Sequence, residues 1–143
     1  MTTPDLGFEE RVRASFARQG LMATLGATIA ELAPGAVTIA LPFDPRLSQQ
    51  HGYLHAGALV SVLDSACGYA ALTLLPSGYE VLTVELKVNL LAPAAGERFE
   101  ARGEVIRSGR TLSVCRGEAH ALARDGRTHV ATLLTTMIGR PPR

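Results

Sequence analysis

Tryptophan is absent and lysine nearly so: Lys87 stands alone beside thirteen arginines spread along 143 residues. No basic block forms, and the formal charge is only +1. That excludes the clustered cationic surfaces that hold nucleic acid or an anionic membrane. The two cysteines, Cys67 and Cys115, make no CxxC pair and lie in apolar segments, so buried free thiols are expected rather than a disulfide or metal framework, and with them a reducing cytoplasm. No apolar run approaches the ~20 residues that cross a bilayer. The opening MTTPDLGFEERVRASFARQG is charged where a signal peptide is apolar, so neither export nor membrane insertion is expected. His51 and His55 are four apart without an HExxH glutamate or a third ligand, which disfavours zinc. GxSxG, GxGxxG and Walker patterns are missing, leaving no serine elbow, no nucleotide cradle and no need for a metal or redox cofactor.

What is present is a chain with 47% hydrophobic and 19% charged residues, enough to bury the core of one domain. Phe8, Val12 and Phe16 share one face of a predicted helix over Leu6–Gln19, which Gly20 ends. Ala27–Leu32 and Val37–Leu41 read as strands joined by a Pro34-Gly35 turn, after which Pro42 and Pro45 break regular structure. A polar connector, Arg46–Tyr53, leads to HAGALVSVLDSACGYAA, His55 to Ala71, where Leu59, Val62, Leu63, Ala66 and Ala70 keep helical spacing. The period then drops to two, with Leu82, Val84, Leu86, Val88 and Leu90 on one face of a strand that the helix is expected to cover. Arg98–Ile106, Thr111–Ala121 and Thr128–Ile138 complete the strands, with Ser108-Gly109 and Asp125-Gly126 as turns that tolerate positive φ. The tail Gly139–Arg143 reads as frayed. The plan is α+β: two strands, a central helix, then four strands of an antiparallel sheet.

One residue fits poorly. Asp64 sits in the middle of the small, apolar helix, where a carboxylate competes for backbone amides and resists burial. If it acts as a base, its complement is a donor to a developing oxyanion, and the helix start supplies unpaired amides at its positive end. Gly57 lets a carbonyl approach there. Seven residues separate the two, roughly 10 Å along the axis, too far to grip one carbon. Two copies with antiparallel helices close that gap and build two identical sites, and the small residues Gly57, Ser61, Gly68 and Ala71 suit such an interface.

The run His55-Ala56-Gly57 with Leu63-Asp64 resembles the HGG(x)nLxD signature of hotdog-fold acyl-CoA thioesterases of the phenylacetate-pathway type. TVELKVNLLAPAAGE and the strands from GEVIRSGR to TTMIG resemble the rest of that family's domain, from about Leu21 onward. Residues 1–20 are then an N-terminal helical extension and 21–143 a single hotdog domain, a long helix wrapped by a curved antiparallel sheet of about six strands. The resemblance implies hydrolysis of an acyl-CoA thioester, with coenzyme A as part of the substrate and no separate cofactor. It implies Asp64 as general base or nucleophile, Gly57 and Gln49 as holders of the carbonyl, and Thr83 as an orienting hydroxyl across a subunit boundary. Arg107, Ser108, Gly109 and Arg110 match the turn that contacts coenzyme A. It implies a homodimer, and beyond it a homotetramer. Ala56 departs from the first glycine of HGG, adding one methyl near the substrate path.

Plainer roles compete at each position. Asp64 can be a structural carboxylate tied to Ser65 or Thr83, Gln50 rivals Gln49, His55, a candidate catalytic partner of the carboxylate, can instead order the helix entry, and Thr83 suits any strand. Arg107 and Arg110 can be ordinary solvated charges. Two other functions share the fold: an acyl-thioester hydratase or dehydratase, and a noncatalytic acyl-CoA binding or sensing module.

Overall fold

A computed structural model describes residues 7–143. Two helices, α1 (Phe8–Ala17) and α2 (Gly20–Leu25), precede strands β1 (Thr28–Ala33) and β2 (Ala36–Pro42), a 3-10 turn (Pro45–Leu47) and the long helix α3 (Ala56–Leu72). Strands β3 (Glu80–Leu90), β4 (Arg98–Ser108), β5 (Leu112–Ala123) and β6 (Gly126–Arg140) follow. One antiparallel sheet results, in the order β1-β2-β4-β5-β6-β3, so β1 and β3 are its edges. This is the expected hotdog arrangement. No described helix is long and apolar enough to cross a membrane.

The core lies where α3 meets the sheet. Leu59, Val62, Leu63, Ala66, Cys67 and Ala70 are buried on the helix side, against Ile39, Phe99, Ala101, Cys115, Ala119, Leu133 and Met137 from the strands. The approach is unusually close at Gly103 of β4: a Cβ there would stand 2.4 Å from the backbone C of Ala66 and N of Cys67. Gly117 of β5 continues the groove, with the Cys67 sulfur 3.2 Å from the position its Cβ would take. Val12 of α1 is fully buried, with Phe8 and Phe16 partly so, as the i, i+4, i+8 spacing requires.

Several expectations are corrected. Leu6, the expected first residue of α1, lies outside the described residues. Gly20 opens α2 instead of ending the chain's helical start; this second helix buries Met22 and Leu25 and ends at Gly26, whose φ is 72°. Pro42 belongs to β2, paired with Arg98 at its last position, where no following ladder bond is lost. The tail is not wholly frayed: Gly139 and Arg140 extend β6, and Pro142 lies against Gly78. Gly126 has the expected positive φ, 149°, but Gly109 does not. Gly109 is needed for a different reason, since a Cβ there would press within 2.7 Å of the Leu112 carbonyl oxygen.

The largest correction concerns β3. Its register shifts between Thr83 and Glu85, so the strand carries one extra residue, Val84. Ahead of the bulge Val81 and Thr83 face α3; beyond it Leu86, Val88 and Leu90 do, by the alternation of the pleat. Leu82 and Val84 are more than half exposed, as is Leu90. The helix therefore leaves much of this strand uncovered.

Gly103→Ala should destabilise the fold by about 3 kcal/mol or more, because the added methyl meets helix backbone that cannot rotate away. Urea unfolding measures this; a loss below ~1 kcal/mol would show that α3 can lift off the sheet.

Candidate active site

The candidate residues fall into two groups, one at the middle of α3 and one at its start. Asp64, half-buried near its middle, accepts a 2.7 Å hydrogen bond from the Thr83 hydroxyl. The bulge at Val84 makes this contact, since unbroken alternation with Leu86 would turn Thr83 away from the helix. Thr83 and Asp64 thus meet within one chain, the tie that the plainer reading of Asp64 allowed. Both line an open groove of about 640 Å³ between α3, the start of β3 and helix α1.

Sequence reasoning did not anticipate the far wall of this groove. Tyr69, buried on α3, shares its hydroxyl with Ser15 Oγ at 3.1 Å and accepts from Gln19 Nε2 at 2.9 Å. Gln19 Nε2 also donates to Ser65 Oγ at 3.4 Å. The signal was available: Ser15 and Gln19, like Ser65 and Tyr69, are polar residues four apart on segments otherwise read for their apolar faces. Ser65, one of the two hydroxyls weighed as a tie for Asp64, belongs to this network.

The second group surrounds the start of α3. Gln49 and His55 line a smaller groove with Ala56, Leu59 and Leu90. Gln49 is half-buried, and its Oε1 accepts from the His51 and Tyr53 amides at 2.5 and 3.3 Å. Those bonds engage Oε1 and leave Nε2 as the donor of a residue that lines the groove, whereas Gln50 is exposed and outside it. His55 is the N-cap of α3, with Nδ1 accepting from the Gly57 amide at 2.7 Å. The expected oxyanion donor is therefore already engaged by its own cap, which requires an unprotonated Nδ1. Gly57 is exposed; a Cβ there would crowd His55 Nδ1 at 3.0 Å. His55 and Asp64 do not meet in one chain. Of the small residues assigned to an interface, Ala71 is buried in its own core, and Gly68 lies under Val81 and Met137.

The turn Arg107–Arg110 sits at the Asp64 end of the sheet, where Leu112 and Leu82 flank Ile138 and the Gly139 amide bonds the Thr111 carbonyl. Arg107 and Arg110 are exposed and make no ion pair among the described residues, while Ser108 Oγ is shielded from solvent without a hydrogen-bond partner. Cys67 and Cys115 are buried and free, and burial pushes the Cys67 thiol far above its usual range and that of Cys115 up to about 12. Neither supplies a thiolate at neutral pH. Among the described residues no cluster of His, Cys, Asp or Glu could hold a metal.

Residues 51–126 match the thioesterase superfamily, and the chain belongs to that family. A thioesterase family protein from Silicibacter pomeroyi is 52% identical, with a TM-score of 0.92 over 93% of this chain and 98% of that one. The medium/long-chain acyl-CoA thioesterase YigI of Escherichia coli is 31% identical over 80 residues, 47% of this chain and 52% of its own length. PaaI, from the phenylacetic acid degradation operon of E. coli, is 18% identical with a TM-score of 0.85 over 98% of both chains, a likeness of fold. The chain spans about two thirds of the length of other curated relatives it matches, 64% and 66% for two of them.

Because His55 closes the first turn of α3, His55→Ala should cost about 1 kcal/mol of stability, and His55→Asn, which retains a capping acceptor, a few tenths. Thermal unfolding of the two variants checks this; equal losses would mean the ring contributes by packing alone.

Proposed function

We propose that the chain is an acyl-CoA thioesterase whose working unit is a homodimer. The observation that carries this reading is the division of the site along two antiparallel elements. Thr83, early in β3, lies beside Asp64, and Leu90, at the strand's end, lies beside His55 in the Gln49 groove. β3 is also a sheet edge, with an unpaired row of backbone groups and exposed Leu82, Val84, Leu86 and Leu90. Such an edge is a template for a second strand. Antiparallel pairing of β3 with its copy about a two-fold axis places the Asp64 groove of one chain against the partner subunit's Gln49 groove, and the reverse.

In that composite site the thioester oxygen is held by Nε2 of the partner subunit's Gln49 and by the amide of the partner subunit's Gly57, freed when the histidine ring turns aside. The positive end of the helix adds to this field. Asp64, oriented by Thr83, takes a proton from water as it adds to the carbonyl carbon, or attacks that carbon itself. After water adds, the C–S bond breaks to give the carboxylic acid and coenzyme A, whose thiolate takes up the proton held by Asp64. After direct attack, the C–S bond breaks to leave an Asp64–acyl anhydride and coenzyme A, whose thiolate takes a proton from solvent, and water then hydrolyses the anhydride to the acid and free Asp64. The exposed guanidiniums of Arg107 and Arg110 suit the phosphates of coenzyme A. The chemistry calls for no further cofactor. Two dimers associating through the outer sheet face, where Leu82, Ile138 and Leu112 form an apolar row, give a homotetramer. Buried free thiols suit a cytoplasmic protein.

Asp64→Asn should lower free-thiol release from coenzyme A esters by ~100-fold or more; near-normal turnover overturns the assignment, and hydration of an enoyl-CoA by the wild type would favour the hydratase. Leu86→Lys, a charge on the pairing strand, should shift the protein to monomer in sedimentation and abolish turnover together. A fully active monomer would refute the shared site.

A further inference from the structure

We propose that His120 and His129, stacked on the outer sheet face, form a proton-sensitive clamp. Unprotonated, the pair holds the β5–β6 bulge and with it the Leu91 wall of the Gln49 groove; protonation releases both. The clamp stands whether or not the chain is a thioesterase. His120 and His129 are opposed residues on β5 and β6, with ring centroids 4.8 Å apart and planes at 19°. They point outward, since Ala119 and Ala121 on either side of His120 are buried. Arg127 ties one ring in place: its Nη2 lies 3.3 Å from His120 Nδ1, and its Nη1 donates to Glu100 Oε2 at 3.1 Å. Guanidinium nitrogens only donate, so that contact requires a bare Nδ1.

The pair sits where the ladder is irregular. Ala119 opposes Ala131 but His120 opposes His129, so Val130 is the extra residue of β6. Val130 is buried, and its carbonyl accepts from the Leu91 amide at 2.8 Å. Leu91 directly follows β3 and lines the smaller groove with Gln49 and His55. The two rings thus close the ladder beside the bulge that holds this wall.

Charged groups reach His120 from three strands. Glu118 shares its face on β5; Glu100 opposes it on β4, with Arg98 and Arg102 on either side; Arg127 and His129 come from β6. β3 brings only uncharged Asn89 and Leu90 beside this part of β6. Burial, then the charges of Arg127 and His129, hold the His120 imidazole below its usual range, against the opposite pull of Glu118 and Glu100. A depressed folded value means that the stability from the unprotonated pair is full above the ordinary imidazole range and is lost as pH falls through the lower folded one. A proton on His120 removes the acceptor that Arg127 uses and sets a second cation against it.

The test follows amide hydrogen exchange of the full chain by NMR, comparing protection of Leu91 with that of Gly139, whose amide bonds the Thr111 carbonyl at the other end of the sheet. Between about pH 8 and about pH 5 the Leu91 amide should lose protection by about 10-fold or more, while Gly139 keeps its own. His120→Gln combined with His129→Gln, whose amides take up no proton, should flatten the Leu91 profile. Arg127→Gln removes the cation that opposes the proton, so the loss at Leu91 should begin at higher pH than in the wild type. Parallel loss at Leu91 and Gly139, or no loss at either, overturns the clamp. So does an undiminished loss in the double glutamine variant, which would put the responsible proton on another group. If that variant does not fold, Arg127→Gln decides: a Leu91 profile that it leaves unmoved overturns the clamp.

Discussion

The contact on which the rest depends is backbone against backbone, where α3 crosses Gly103. Lacking a side chain at that point, β4 lets the helix sink until Ala66 and Cys67 touch the strand itself. The helix is thereby fixed in depth and direction, with little freedom to slide over the buried Leu63, Phe99 and Leu133, because protein interiors are close-packed. Two stations along α3 then acquire defined neighbours. Its start is pinned beside the end of β3, and its middle beside the start of that strand.

This constraint keeps two groups of polar side chains apart within the single chain. A carboxylate with its orienting hydroxyl lies at one station, and a carboxamide with a capped helix terminus lies at another. Bringing them together by bending α3 would break the contact that builds the core. In the proposed dimer a second copy along the edge strand joins them without bending the helix and covers the exposed aliphatic residues of β3.

The order of elements was legible because periodicity is strong where one face is buried: α3 keeps its helical stripe, and β4, β5 and β6 keep turn residues at their joints. Asp64 was legible for the opposite reason, as a charge in the wrong setting. What escaped notice depends on tertiary placement. The shift at Val84 is invisible when Leu82 through Leu90 alternate without interruption, and it alone decides which way Thr83 points. The role of Gly109 was misread because a glycine needed for close approach looks the same in sequence as one needed for positive φ. The Gln19–Tyr69 contact joins residues 50 apart, which no local pattern announces.

The extra residue in β3 gives one strand two characters. Upstream of it a hydroxyl is presented inward, within reach of a carboxylate; downstream, branched aliphatic side chains take the same direction. In the proposed dimer a chemical function and an adhesive one are thus carried on a single ribbon and kept from interfering by a half-turn of phase. Losing one residue there would exchange the two, silencing the carboxylate's partner while leaving the composition of the strand almost untouched.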